Sequence, residues 1–114
     1  MDINFFEPEH MPQPRADIKI EMFECEPYPD GRRIRVTLKM TPFSERPNLR
    51  ITAHNSEQQP LAQADVLEAM TKQISLTLHL RGPLPTEQVT TRAQQYYDDS
   101  PPQSTVEQVI QVAI

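Results

Sequence analysis

Residues 74 to 80 read ISLTLHL, and residues 32 to 40 read RRIRVTLKM. In the first stretch Ile74, Leu76, Leu78 and Leu80 alternate with Ser75, Thr77 and His79. In the second, Ile34, Val36, Leu38 and Met40 alternate with Arg33, Arg35, Thr37 and Lys39. Successive side chains of a strand point to opposite faces, so a period of two places one face in a core and the other in water. Both stretches are expected to be half-buried strands.

Working outward, the same alternation recurs. Upstream of residue 32, Ile18, Ile20 and Met22 oppose Lys19 and Glu21, and Pro29, Asp30 and Gly31 follow Tyr28. Proline presets the first turn position and glycine supplies a positive φ, so the two strands should form an antiparallel hairpin. In that hairpin Glu21 is expected across from Arg35, a surface pair worth roughly a few tenths of a kcal/mol. After a connection at residues 41 to 47 with two prolines, Leu49, Ile51 and Ala53 alternate with Arg50, Thr52 and His54. Residues 55 to 60 are turn-like. Residues 61 to 71 carry both a strand pattern (Ala62, Ala64, Val66) and helical spacing (Val66 with Met70); a short edge strand is the reading adopted, with one helical turn near residues 67 to 72 as the alternative. Between residues 87 and 97, Val89, Ala93 and Tyr97 share one face, and Thr90, Arg92, Gln94 and Tyr96 the other. A closing strand at residues 106 to 114 turns Ile110, Val112 and Ile114 inward. Seven strands without a long amphipathic helix must cover one another, which predicts an all-β, two-sheet antiparallel sandwich.

Composition agrees. The chain has 114 residues, the size of one domain, with 37% hydrophobic residues, twelve prolines and two glycines. Prolines break helix interiors and are tolerated in turns and at strand edges. The expected organisation is an extended N-terminal arm at residues 1 to 16 and the sandwich at residues 17 to 114. The arm holds Ile3, Phe5 and Phe6 ahead of Pro8, Pro12 and Pro14; the aromatic pair either packs back on the domain or anchors another subunit. A net charge of −5 argues against nucleic-acid or anionic-membrane partners, whose affinity needs clustered Lys and Arg. One cysteine, Cys25, leaves the domain held by packing alone. With no basic n-region followed by an apolar run at the start, a soluble cytoplasmic protein is expected.

The 34-to-38 strand, the 74-to-80 strand and the 89-to-97 strand leading into the last one resemble the immunoglobulin-like and fibronectin type III-like sandwich, over residues 17 to 114. The resemblance is of architecture: the antibody cysteine pair and a tryptophan are absent, and Tyr97 matches the aromatic of the sixth strand loosely. It implies that the first, second and fifth strands form one sheet and the third, sixth and seventh the other. It brings no function with it.

Residues that carry chemistry are few. Glu24 and Glu26 flank Cys25 and disfavour its thiolate, so Cys25 is read as a structural thiol. His10, His54 and His79 are too few for a zinc site, and His54 and His79 are expected to face outward from opposite sheets, which leaves no Ser-His-Asp constellation between them. Asp98, Asp99 and Ser100, or Glu24, Glu26 and Asp30, offer oxygens for calcium but are read as solvated loops. Gly31 and Gly82 cannot build a phosphate-binding loop. No catalytic residue, cofactor or metal is therefore expected. Neighbouring third and sixth strands would bring Arg50, Thr52 and His54 beside Arg92, Gln94 and Tyr96 on one outer face, and Arg and Tyr are enriched at interfaces; sugar binding there is weakly supported, with no Trp as a stacking platform. The expectation is a non-enzymatic domain that binds another protein through this face, a sheet edge or the Phe5 and Phe6 arm, with a homo-oligomer through an edge or the arm as one form of it. The alternative is a ligand- or calcium-binding component of an enzyme system.

Overall fold

The computed structural model describes residues 11 to 81 and 88 to 112. Seven strands lie among them: β1 (Ile20–Pro27), β2 (Arg33–Met40), β3 (Asn48–Asn55), β4 (Pro60–Val66), β5 (Gln73–His79), β6 (Gln88–Tyr96) and β7 (Ser104–Gln111). They form two sheets in the orders β1-β2-β5 and β4-β3-β6-β7, with every neighbouring pair antiparallel. The expected sandwich and its division of strands are observed. The ambiguous stretch resolves as the edge strand β4, followed by bends in place of a helical turn.

The alternating apolar positions form the core. Ile34, Val36, Leu38 and Met40 of β2 face Leu49, Ile51 and Ala53 of β3, joined by Leu78, Val89, Ala93 and Ile110, all buried. Each large aliphatic side chain removed from water in this way contributes about 1.5–3 kcal/mol. Val112 is buried as expected, while Ile114, Phe5, Phe6 and His10 lie outside the described residues. The inner face of β6 also holds Thr91 and Gln95, both fully buried, which the apolar pattern does not reveal.

The hairpin differs from expectation in register. The reversal is tight, with Gly31 N–H donating to the Tyr28 carbonyl at 3.1 Å and Gly31 at φ 69°. That turn sets Glu26, and not Glu21, opposite Arg35. The Glu21 carboxylate instead accepts the Thr41 hydroxyl at 3.2 Å. A bulge between Ile20 and Met22 breaks the alternation, so Met22 is half-buried while Ile18 and Ile20 remain in the core. An extra residue in one strand changes which side chains face inward from that point on.

Of the expected arm, residues 11 to 16 are described. Gln13 makes a parallel bridge to Phe43, and Arg15–Asp17 form one turn of 3-10 helix. This segment lies against the β2–β3 connection, with Gln13 N–H donating to the Pro42 carbonyl at 2.8 Å and Ser44 Oγ to the Gln13 carbonyl at 3.0 Å.

Candidate functional site

Two surfaces gather polar side chains, and their chemistry differs. The first lies at the end of the sandwich where the β2–β3, β4–β5 and β6–β7 connections meet, around a concavity of ≈ 560 Å³. Arg15 dominates it. Its guanidinium pairs with the Glu45 carboxylate, reaches Asp99 Oδ1 at 2.6 Å, and lies 4.4 Å from the centre of the Tyr97 ring. The Tyr97 hydroxyl donates to the Glu45 carbonyl at 2.9 Å. Asn48 Nδ2 donates to Asp98 Oδ1 at 2.8 Å, and its Oδ1 accepts the Glu68 N–H at 2.8 Å. That bond holds Glu68 at φ 51°, a left-handed conformation uncommon for a residue with a Cβ. The pair with Glu45 raises the Arg15 pKa still further, the same guanidinium holds the Asp99 carboxyl below its usual range, and burial pushes the Tyr97 hydroxyl up. The polar groups here satisfy one another and tie three connections and the N-terminal segment together.

The second surface is the outer face of the four-stranded sheet. Register places Asn48 opposite Tyr96, Arg50 opposite Gln94, Thr52 opposite Arg92 and His54 opposite Thr90. The six residues expected to adjoin across the third and sixth strands therefore do so. Both arginines are fixed by carboxylates of the outer strands: Arg50 Nε donates to Asp65 Oδ1 of β4 at 2.9 Å, and Arg92 Nε to Glu107 Oε2 of β7 at 2.6 Å. Arg50 also holds the Asp65 carboxyl below the ordinary range. Thr52, His54, Gln94 and Tyr96 are half-buried, and their side chains make no hydrogen bond to another described residue. Arg50, Gln94 and Tyr96 line a shallow hollow of ≈ 220 Å³ with Pro102.

The remaining candidates are dispersed. His54 is on β3 and His79 on β5, in different sheets. Cys25 is buried, with Sγ 3.2 Å from Thr91 Oγ1. Burial pushes its thiol pKa up, partly opposed by the Thr91 hydrogen bond; burial, and not the flanking glutamates, is the dominant cause. Asp99, whose loop offers oxygens for calcium but is read as solvated, faces the Arg15 guanidinium, and Asp30 holds Arg33 at 2.8 Å. No group of three or more His, Cys, Asp or Glu among the described residues is placed to hold a metal ion. No helix among them is long and apolar enough to cross a membrane. The Arg15 cluster escaped sequence reasoning because its members are far apart in the chain and belong to no periodic pattern.

No protein-family model matches the chain, and no curated protein matches it in sequence. Solved structures do. The alpha chain of the chicken interferon gamma receptor is similar over 84% of this chain and 52% of its own, with a TM-score of 0.62 and 14% identity. A glycosyl hydrolase family 2 member from Bacteroides cellulosilyticus is similar over 83% of this chain and 15% of its own, with a TM-score of 0.59 and 9% identity. A beta-glucuronidase from Lactobacillus rhamnosus is similar over 84% and 16%, with a TM-score of 0.53 and 15% identity. The chain thus spans about half the length of the receptor chain and about a sixth of the enzymes. At these identities the likeness is one of fold, and with the strand order it makes the chain a two-sheet antiparallel sandwich of the immunoglobulin-like, fibronectin type III-like architecture.

Proposed function

We propose that the chain is a non-enzymatic interaction or accessory domain that binds another protein through the outer face of β4-β3-β6-β7. One observation carries this reading. Arg50 and Arg92 are held in place by Asp65 and Glu107, while Thr52, His54, Gln94 and Tyr96 between them keep donors and acceptors that no described residue uses. A surface whose charged groups are pre-positioned loses less entropy on association, and half-buried Tyr and Arg are the side chains that anchor interfaces. At the loop end, by contrast, most polar groups are engaged with one another. A sandwich that recurs as a small part of larger chains is consistent with an accessory role.

Affinity capture from source lysate, with the wild type and an Arg92→Ala, Tyr96→Ala double variant in parallel, tests the reading. A protein retained by the wild type and lost by the variant is the expected result. Identical retention by both overturns it. The alternative, a ligand- or calcium-binding component of an enzyme system, predicts a raised melting temperature with calcium, zinc or a sugar, since a ligand that binds only the folded state stabilises it by mass action. No shift across that panel removes the alternative.

A further inference from the structure

The four sheet edges are not equally protected, and β5 stands apart. Met40 N–H donates to the Lys72 carbonyl and Leu80 N–H to the Arg32 carbonyl, each at 2.8 Å. With the unbroken β2–β5 register, this makes Ile74, Leu76 and Leu78 the β5 positions bonded to β2. Antiparallel alternation then turns the N–H and C=O groups of Gln73, Ser75, Thr77 and His79 to the open side. The Gln73 carbonyl accepts the Thr71 hydroxyl at 2.7 Å; the others have no partner among the described residues. Nothing on β5 blunts this edge, for it has no proline, lysine or bulge, the usual devices against edge pairing.

We propose that this edge joins two copies of the chain, β5 to β5 in antiparallel fashion about a two-fold axis at Leu76, forming one six-stranded sheet. Ser75 of each copy would then exchange backbone hydrogen bonds with Thr77 of the other, and Gln73 with His79. Self-pairing about a two-fold axis sets an edge against an identical edge, so one bearing charges of a single sign repels itself. The outward residues of β1 include Glu24 and Glu26, those of β4 include Asp65, and those of β7 include Glu107. On β5 they are Gln73, Ser75, Thr77 and His79, which bear no charge with the histidine neutral. Arg33 on β2 would line up with Lys39 of the other copy, and Arg35 with Thr37, across three strand spacings, about 14 Å, beyond the ~8 Å Debye length at physiological salt. The inward side chains Ile74 and Leu76 are only partly buried although they pack on the core; a second β5 covers them with its own Leu78 and Leu76.

Sedimentation velocity on the full chain over a wide concentration series tests this. The wild type is expected to show a reversible monomer–dimer equilibrium. Ser75→Pro removes an edge N–H without touching the β2 ladder, and a Ser75→Lys, Thr77→Lys double variant sets lysines against lysines while its side chains stay on the outer face. Each should weaken dimerisation by at least about tenfold, with the wild-type circular dichroism spectrum retained in the lysine variant. Arg92→Ala, on the opposite sheet, should leave the dimer unchanged. A wild type that is monomeric at every concentration, or a dimer equally strong in both variants, overturns the proposal.

Discussion

The two long sides of the sandwich solve the same problem in different ways. On the β1–β7 side, side chains of one sheet cap backbone groups of the other: Ser104 Oγ accepts the Ile20 N–H and Gln108 Oε1 accepts the Cys25 N–H, both at 3.1 Å. On the β4–β5 side the sheets meet through a backbone bond near their end, Arg81 N–H to the Leu61 carbonyl at 2.9 Å, and no described residue caps the middle of β5. A buried N–H without a partner costs about 1–3 kcal/mol, whereas one exposed to water costs little. The contrast teaches that an edge can be closed from within by neutral polar side chains, as that of β1 is, or keep backbone groups that no described residue caps, as that of β5 does.

Several substitutions break or sharpen that contrast. The largest effect is expected in the core both sides share: Leu38→Ala, at a fully buried position, should cost about 2–5 kcal/mol by urea denaturation. Ile74→Ala on the open side, only partly buried, should cost about half as much; equal losses would mean that the open side is packed as tightly as the centre. Next comes Gln108→Ala, which strands the Cys25 N–H and should cost about 1–2 kcal/mol, while Thr77→Ala on the open edge of the dilute protein should stay within about 0.5 kcal/mol. A negligible loss at Gln108 would mean that water replaces the cap.

A smaller effect, of opposite sign, is expected at Gln95. Its amide is fully buried and neither Nε2 nor Oε1 has a partner among the described residues. Gln95→Met keeps the volume and removes the unmet polar atoms, so it should be neutral or stabilising by up to about 1 kcal/mol. A clear destabilisation would reveal a partner for that amide.

The smallest effect is the response to acid. Asp65 is held below its usual range by Arg50, and Asp99 by Arg15. A carboxyl with a depressed folded pKa contributes stability above its unfolded value, about 3.9, and loses it as pH falls through the folded value. The melting temperature should therefore vary little from these groups between neutral pH and about pH 5, then fall, and Asp65→Asn should fall less steeply than the wild type. The caps on the closed side, Ser104 and Gln108, carry no titrating group, so acid leaves those two bonds in place. An Asp65→Asn profile parallel to that of the wild type would show that the Arg50 pair contributes nothing.

Much of this was legible in the chain because strand alternation is a local property. The apolar positions of residues 34 to 40, 49 to 53 and 74 to 80 imply which side chains face inward, and Pro29, Asp30 and Gly31 imply a reversal. The outer-face row of Arg50, Thr52, His54, Arg92, Gln94 and Tyr96 followed once the third and sixth strands were taken as neighbours. The Glu21–Arg35 pairing failed because register depends on where the turn closes and on a bulge, neither of which leaves a mark in the period of two.

The sequence by itself thus determined the strands, their inward faces and, through their number and the lack of a covering helix, the sandwich. Tertiary structure alone decided which carboxylate meets which arginine, that Arg15 clamps loops distant from it in the chain, that Gln108 and Ser104 cap β1, and that no described residue caps the middle of β5. The physical reason is range. Periodicity reports the side of a strand that leaves water, whereas hydrogen bonds and ion pairs between side chains act over a few ångströms and join residues whose proximity exists only once the chain has folded.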